Sequence, residues 1–199
     1  SCHAFGEIYI PNNKDSSMVG SANYSHASAL SFHAIKNITT GEGGAVATND
    51  EKLANKIRLL RSHGSIRDKN WDNKKDRGPW YYENNLLGYN YRITDFQAAL
   101  GMSQLKRLDS QNKYKYNLAK IYNNLLSDFK YIKLPEIKDE KYNQAWHLYS
   151  VSIDFTAIGK SRNQVMKKLL EKGIGTQVHY IPLYKQPFYK DNLNKKYPG

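Results

Sequence analysis

The sequence predicts an α/β chain followed by a smaller α+β segment, and three features carry that expectation. Residues 4–10 (AFGEIYI) and 26–32 (HASALSF) are apolar stretches of strand length. After a third such stretch, GAVATN at 44–49, the apolar period becomes helical, with Leu53, Ile57 and Leu60 in register. Much later, Tyr149, Val151, Ile153 and Phe155 alternate with Ser150, Ser152 and Asp154, the period of a half-buried strand.

Each element has a local reason. The first two strands are separated by a polar loop, PNNKDSS. The first helix can be capped by Asn49 or Asp50 and closed by Gly64. Between about 65 and 87 the chain reads as a long irregular loop with Trp71, Gly78, Pro79 and Trp80, a length typical of functional or partner-packed loops. Thr94 and Gln97 have the spacing of a capping box, which starts a helix through about Leu108. A second helix is expected from roughly 110 to 127, with Leu118, Ile121, Tyr122, Leu125 and Leu126 on its apolar face. The stretch 131–144 mixes proline and charge and reads as a linker or edge element. Ser161 and Gln164 form another capping box, Val165, Met166, Leu169 and Leu170 give that helix its face, and Gly173 stops it. TQVHY at 176–180 then reads as a strand, and the domain boundary is expected between 110 and 130.

Composition narrows the function classes. A hydrophobic fraction of 40% with 16 tyrosines supports a packed core, and the mean hydropathy of −0.74 supports a soluble chain. No run approaches the roughly 18 apolar residues that a membrane span needs. The net charge of +12 raises nucleic-acid binding, but the basic residues are dispersed among asparagine and aspartate, as in DKNWDNKKDRG. A solvated surface, or a site for a small anion, fits that dispersal better than a duplex does. Cys2 is the single cysteine, so no disulfide forms within these residues and a cytoplasmic location is expected. The chain opens on Ser1 without a cap or turn and reads as an excerpt from a longer sequence.

The chemically informative stretch is SFHAIKNITTGEGG at 31–44. Lys36 follows an apolar-aromatic run and precedes glycines that permit a tight turn or close backbone approach to a ligand. A lysine at the edge of a core has a lowered pKa and attacks carbonyl carbon, the chemistry of a Schiff base. The histidines at 3, 26, 33, 63, 147 and 179 show no metal-ligand spacing, and no Gly-x-Ser-x-Gly elbow or Walker motif occurs.

SFHAIKNITTGEGGAVATND, with SCHAFG before it and GYNYRITDFQAALGMSQLKRLD after it, resembles the DegT/StrS-type sugar aminotransferases, fold type I enzymes that use pyridoxal 5′-phosphate. The resemblance covers essentially the whole chain, with the motifs in the family's order. It implies the C-terminal half of the large, cofactor-binding domain over residues 1–115 and an incomplete small α+β domain over 116–199. RSHGSIRD, GPWYYENNLLGYNYR and GIGTQVHYIPLY are similar to members that act in pseudaminic acid synthesis. The implied reaction moves an amino group from an amino acid, expected to be L-glutamate, to C4 of a UDP-linked 4-keto-6-deoxy sugar. A homodimer with shared active sites is also implied, with no role for nucleic acid, membrane or metal.

Residue by residue, the resemblance makes Lys36 the lysine that forms the Schiff base and then shuttles protons. Ser31 matches the serine on the cofactor phosphate, and His3 matches the glutamine-or-histidine position on the cofactor's phenolic oxygen. Asn90 and Arg92 align with residues reaching across a dimer interface, Asn90 to cofactor and Arg92 to substrate. Gln177, His179 and Tyr180 fall in the stretch lining the sugar-nucleotide site. His33 reads as structural, and His147 carries no assigned role. The aspartate that partners the pyridine nitrogen falls three residues ahead of His3, just before Ser1, so these residues alone are expected to bind cofactor poorly or not at all. The alternative is a truncated, non-catalytic relative that dimerises or binds nucleotide sugar.

Overall fold

The computed structural model describes residues 1–11, 15–67 and 80–192. Trp71, Gly78 and Pro79 of the expected long loop lie outside the described residues. By compactness the chain divides into two units, Ser1–Ser152 and Ile153–Gly199.

In the first unit the apolar stretches become short antiparallel pairs. Strand β1 (Ile8–Tyr9) pairs with β2 (Ser17–Met18), and β3 (Ser28–Ser31) pairs with β4 (Gly44–Ala47) in the register Ser28↔Ala47 to Ser31↔Gly44. Only two residues of 4–10 are extended, because the segment before them is spent in turns, with Gly6 at φ +89°. Helix α1 (Glu51–Arg61) is capped by Asp50, whose carboxylate accepts from Lys52 N at 2.8 Å and Leu53 N at 3.1 Å. At its other end Gly64, at φ +68°, donates to Leu59 O at 2.8 Å. A side chain at Gly64 would also overlap the carbonyl of Leu86. Strands β5 (Ser65–Ile66) and β6 (Glu83–Asn84) pair antiparallel.

Helix α2 (Asp95–Leu105) starts at the expected capping box, with both reciprocal bonds between Thr94 and Gln97 in place. It ends at Leu105, three residues before the expected stop, and α3 (Leu108–Leu126) begins after a two-residue break. The buried face of α3 is Leu108, Asn112, Tyr116 and Ala119, not the expected stripe. Ile121, Tyr122 and Leu125 are 51–69% exposed, and Leu118 is 36% exposed. The cause is what packs against the helix: Trp146, Tyr149 and Ile137 gather around Tyr116 and Ala119, and the more apolar stripe is left at the rim. Tyr116 also donates its hydroxyl to Lys138 O at 2.9 Å. Strand β7 (Ile132–Lys133) and a single 3-10 turn, Glu140–Tyr142, occupy the expected linker.

Strand β8 covers only Ser152–Ile153 of the alternating run at 149–155. In the second unit, helix α4 (Arg162–Glu171) has the predicted capping box at Ser161 and Gln164, and Gly173 follows at φ +78°. The strand expected at 176–180 does not form. Tyr180 sits at φ +73° and donates its amide to Val178 O at 2.9 Å, a tight turn that breaks an extended run. A short helix α5 (Pro187–Asn192) ends the described part.

Candidate active site

Lys36 lies in the turn that follows β3, and its surroundings are fixed from three directions. Its own amide donates to His33 O at 3.0 Å, and Thr40 N returns to Phe32 O at 2.9 Å, so residues 32–40 close on themselves. Thr39 and Thr40 hydroxyls donate to Phe32 O and Glu42 O, and Gly41 turns back at φ +80°. A side chain at Gly43 would collide with Thr40 Oγ1, so a larger residue there would have to displace the Thr40 hydroxyl from its bond to Glu42 O. From outside, Gln97 of α2 donates to Glu42 O at 2.9 Å.

The deepest anchor is Asn112 of α3, only 1% exposed. It accepts from Asn37 Nδ2 at 3.2 Å and donates to Phe5 O at 3.1 Å. One amide therefore ties the residue after Lys36 to the segment that carries His3. Gly6 makes room for it: a Cβ there would come within 2.8 Å of Asn112 Nδ2. The same segment is held by Asn143 Nδ2 donating to Gly6 O at 2.7 Å and by Lys138 Nζ at 3.0 Å from Glu7 Oε1.

The result is a direct contact between two of the sequence-predicted residues: Lys36 Nζ lies 2.6 Å from His3 Nε2. One of the two nitrogens donates and the other offers a lone pair. Ser31 stands at the end of β3, five residues before Lys36, and its hydroxyl accepts weakly from His33 N at 3.5 Å. His33 itself faces Glu42 at 3.7 Å. Asn90 and Arg92 are exposed, on a segment laid against the end of α1 through the Ser62↔Asn90 bridge and Tyr91 N donating to Arg61 O at 2.9 Å. Gln177, His179 and Tyr180 belong to the second unit and are exposed, with the His179 and Tyr180 rings stacked at 4.2 Å.

Two further residues belong to the site: Asn112, which the sequence did not single out, and His147, to which it assigned no role. His147 packs its ring 4.2 Å from that of His3, tilted by 41°. Its only sequence signal is its place directly after Trp146 in an aromatic run. Asn112 betrays itself as a polar residue in the otherwise apolar series Leu108, Tyr116, Ala119. Beside His147, a groove of about 190 Å³ is lined by Lys115, Leu118, Tyr122, Trp146, His147 and Tyr149. Burial lowers the Lys115 pKa and raises that of Tyr149, whose hydroxyl donates to Asn123 Oδ1 at 2.6 Å.

The residues around Lys36 suit pyridoxal phosphate by the chemistry of the set: a primary amine for the aldehyde, an imidazole nitrogen for the phenolic oxygen, and a hydroxyl for the phosphate. Comparison with known proteins points the same way. The DegT/DnrJ/EryC1/StrS aminotransferase family matches residues 1–198. A UDP-4-amino-4,6-dideoxy-N-acetyl-β-L-altrosamine transaminase from Campylobacter jejuni is 38% identical over 193 residues, covering 97% of this chain and 46% of its own length. The structure is similar to Helicobacter pylori PseC, an aminotransferase of pseudoaminic acid biosynthesis, with TM-score 0.78, 35% identity, and coverage of 100% of this chain and 48% of that one. It is also similar to the PMP form of the sugar aminotransferase Spr1654 from Streptococcus pneumoniae, with TM-score 0.78, 28% identity, and coverage of 96% and 47%. That protein is known in a PLP form as well. The chain thus spans about half the length of the relatives it matches. The expected fold class, part of a PLP-dependent aminotransferase, agrees with these likenesses, and the chain belongs to the DegT/DnrJ/EryC1/StrS aminotransferase family.

Proposed function

We propose that the intact protein transfers an amino group from L-glutamate to C4 of a UDP-linked 4-keto-6-deoxy sugar in the cytoplasm, for pseudaminic acid or a related surface glycan. The observation that carries this reading is the 2.6 Å contact of Lys36 Nζ with His3 Nε2, in a loop matched by sugar aminotransferases. Bound pyridoxal phosphate would supply an electron sink that makes the amino-bearing carbon acidic. Lys36 is then the base that takes the proton from the donor's Cα and the acid that returns one to the sugar carbon. His3 holds the phenolic oxygen through Nε2, and the Ser31 hydroxyl donates to the phosphate.

Residues 1–115 are proposed as part of the cofactor-binding domain and 116–199 as part of the small domain. In a homodimer, Asn90 and Arg92 of one copy would serve the phosphate and substrate of the other. Their exposure supports this, as does the apolar surface around them, where Leu87 is 89% and Phe96 91% exposed. Gln177, His179 and Tyr180 would face the sugar nucleotide.

The test is to incubate the intact protein with pyridoxal phosphate, glutamate and a UDP-4-keto-6-deoxy-N-acetylhexosamine, following the amino sugar by mass spectrometry. Amino sugar formed in step with 2-oxoglutarate is expected. A protein that holds cofactor yet aminates no UDP-4-keto sugar would refute the substrate assignment.

A further inference from the structure

The ring of His3 must be held in one plane for its Nε2 to meet Lys36. His3 is exposed, in a turn, and the torsion that rotates an imidazole about its bond to Cβ is broad and roughly two-fold. A flip of that torsion exchanges nitrogen for carbon at the edge facing the lysine.

The neighbouring ring is His147, with centroids 4.2 Å apart. Trp146 beside it belongs to the core cluster with Tyr116 and Ala119, and Ala145 N donates to Glu7 Oε2 at 3.3 Å. Glu7, Gly6 and Phe5 are each bonded to the 138–145 segment or to α3, so the backbone under His3 and the backbone under His147 move as one frame. A tilted ring contact at this distance sets the plane of the His3 imidazole, and within that plane the bond to Lys36 Nζ selects the edge that presents Nε2.

We propose that His147 is a positioning residue: it packs on His3 and fixes the plane of the imidazole in which Nε2 meets Lys36. This deepens the reading above and rests on it for what His3 does to the cofactor. His147 acts in this role through the His3 ring.

The test compares wild type, His147→Ala and His147→Phe in the intact protein. Nitrogen-15 NMR of the His3 ring in cofactor-free protein reports the tautomer and the hydrogen bond at Nε2, with the signals assigned by their loss in His3→Gln. His147→Ala should move the His3 signals towards those of a free imidazole, and His147→Phe, which keeps a flat ring, should restore them. Unchanged signals in His147→Ala, or equal disturbance in both variants, would overturn the proposal. His147→Phe keeps the comparison decisive if the alanine variant folds poorly. The visible absorption band of added pyridoxal phosphate, read on wild type, separates the two claims. Absence of that band removes the cofactor role of His3, while the ring signals still decide whether His147 positions it.

Discussion

Asn112 concentrates the organisation of the site in one side chain. Its amide accepts from the residue following Lys36 and donates to the segment carrying His3, and it is almost wholly buried while doing so. Replacing it by alanine would strand Asn37 Nδ2 and the Phe5 carbonyl in the interior. Each unsatisfied buried group costs about 1–3 kcal/mol, so Asn112→Ala should lower unfolding free energy by roughly 2–4 kcal/mol. Denaturant titration of the intact protein checks this, and a change under half a kcal/mol would mean that water or a rearranged neighbour replaces the amide. The place of Lys36 in a glycine-bounded turn was legible at this scale because its flanks are distinctive. Asn112 and His147 were not, because their partners lie 75 and 144 residues away in sequence and nothing local encodes either contact.

Among the elements, what was written locally came through. Capping boxes are built from side chains three residues apart, and both predicted boxes formed, at Thr94 and at Ser161. Removing the first, by Thr94→Ala, should cost about 1 kcal/mol, because it deprives the Gln97 amide of its acceptor. Thermal unfolding measures that loss, and Thr94→Ser, which keeps the hydroxyl, should recover most of it. The helix break at Lys106 and Arg107 and the true buried face of α3 were less readable. The stripe of Leu118, Ile121, Tyr122 and Leu125 is the more apolar one, yet the face that is buried is the one met by Trp146 and Tyr149, a tertiary choice that periodicity does not contain. The segment 176–180 failed as a strand for a related reason: alternation gives a face, but a strand also needs a ladder partner, and Tyr180 turns the chain instead.

For the whole molecule, the large apolar side chains left exposed are as informative as those buried. Besides Leu87 and Phe96, Tyr91 is 71% and Met102 67% exposed, all on or just before α2. Exposed apolar side chains of this kind mark where further chain or a partner packs, and α2 is the element that also braces the Lys36 loop through Gln97. The proposed dimer would cover this surface beside the residues it is meant to share. Everything in that account depends on Lys36 being the residue that holds the cofactor. The direct measurement is to load the intact protein with pyridoxal phosphate, reduce it with borohydride, digest it and locate the adduct by mass spectrometry. A stable pyridoxyl group on the peptide containing Lys36, absent from Lys36→Ala, is the predicted result. An adduct on another lysine, or none on protein that shows the cofactor's absorption, would contradict it.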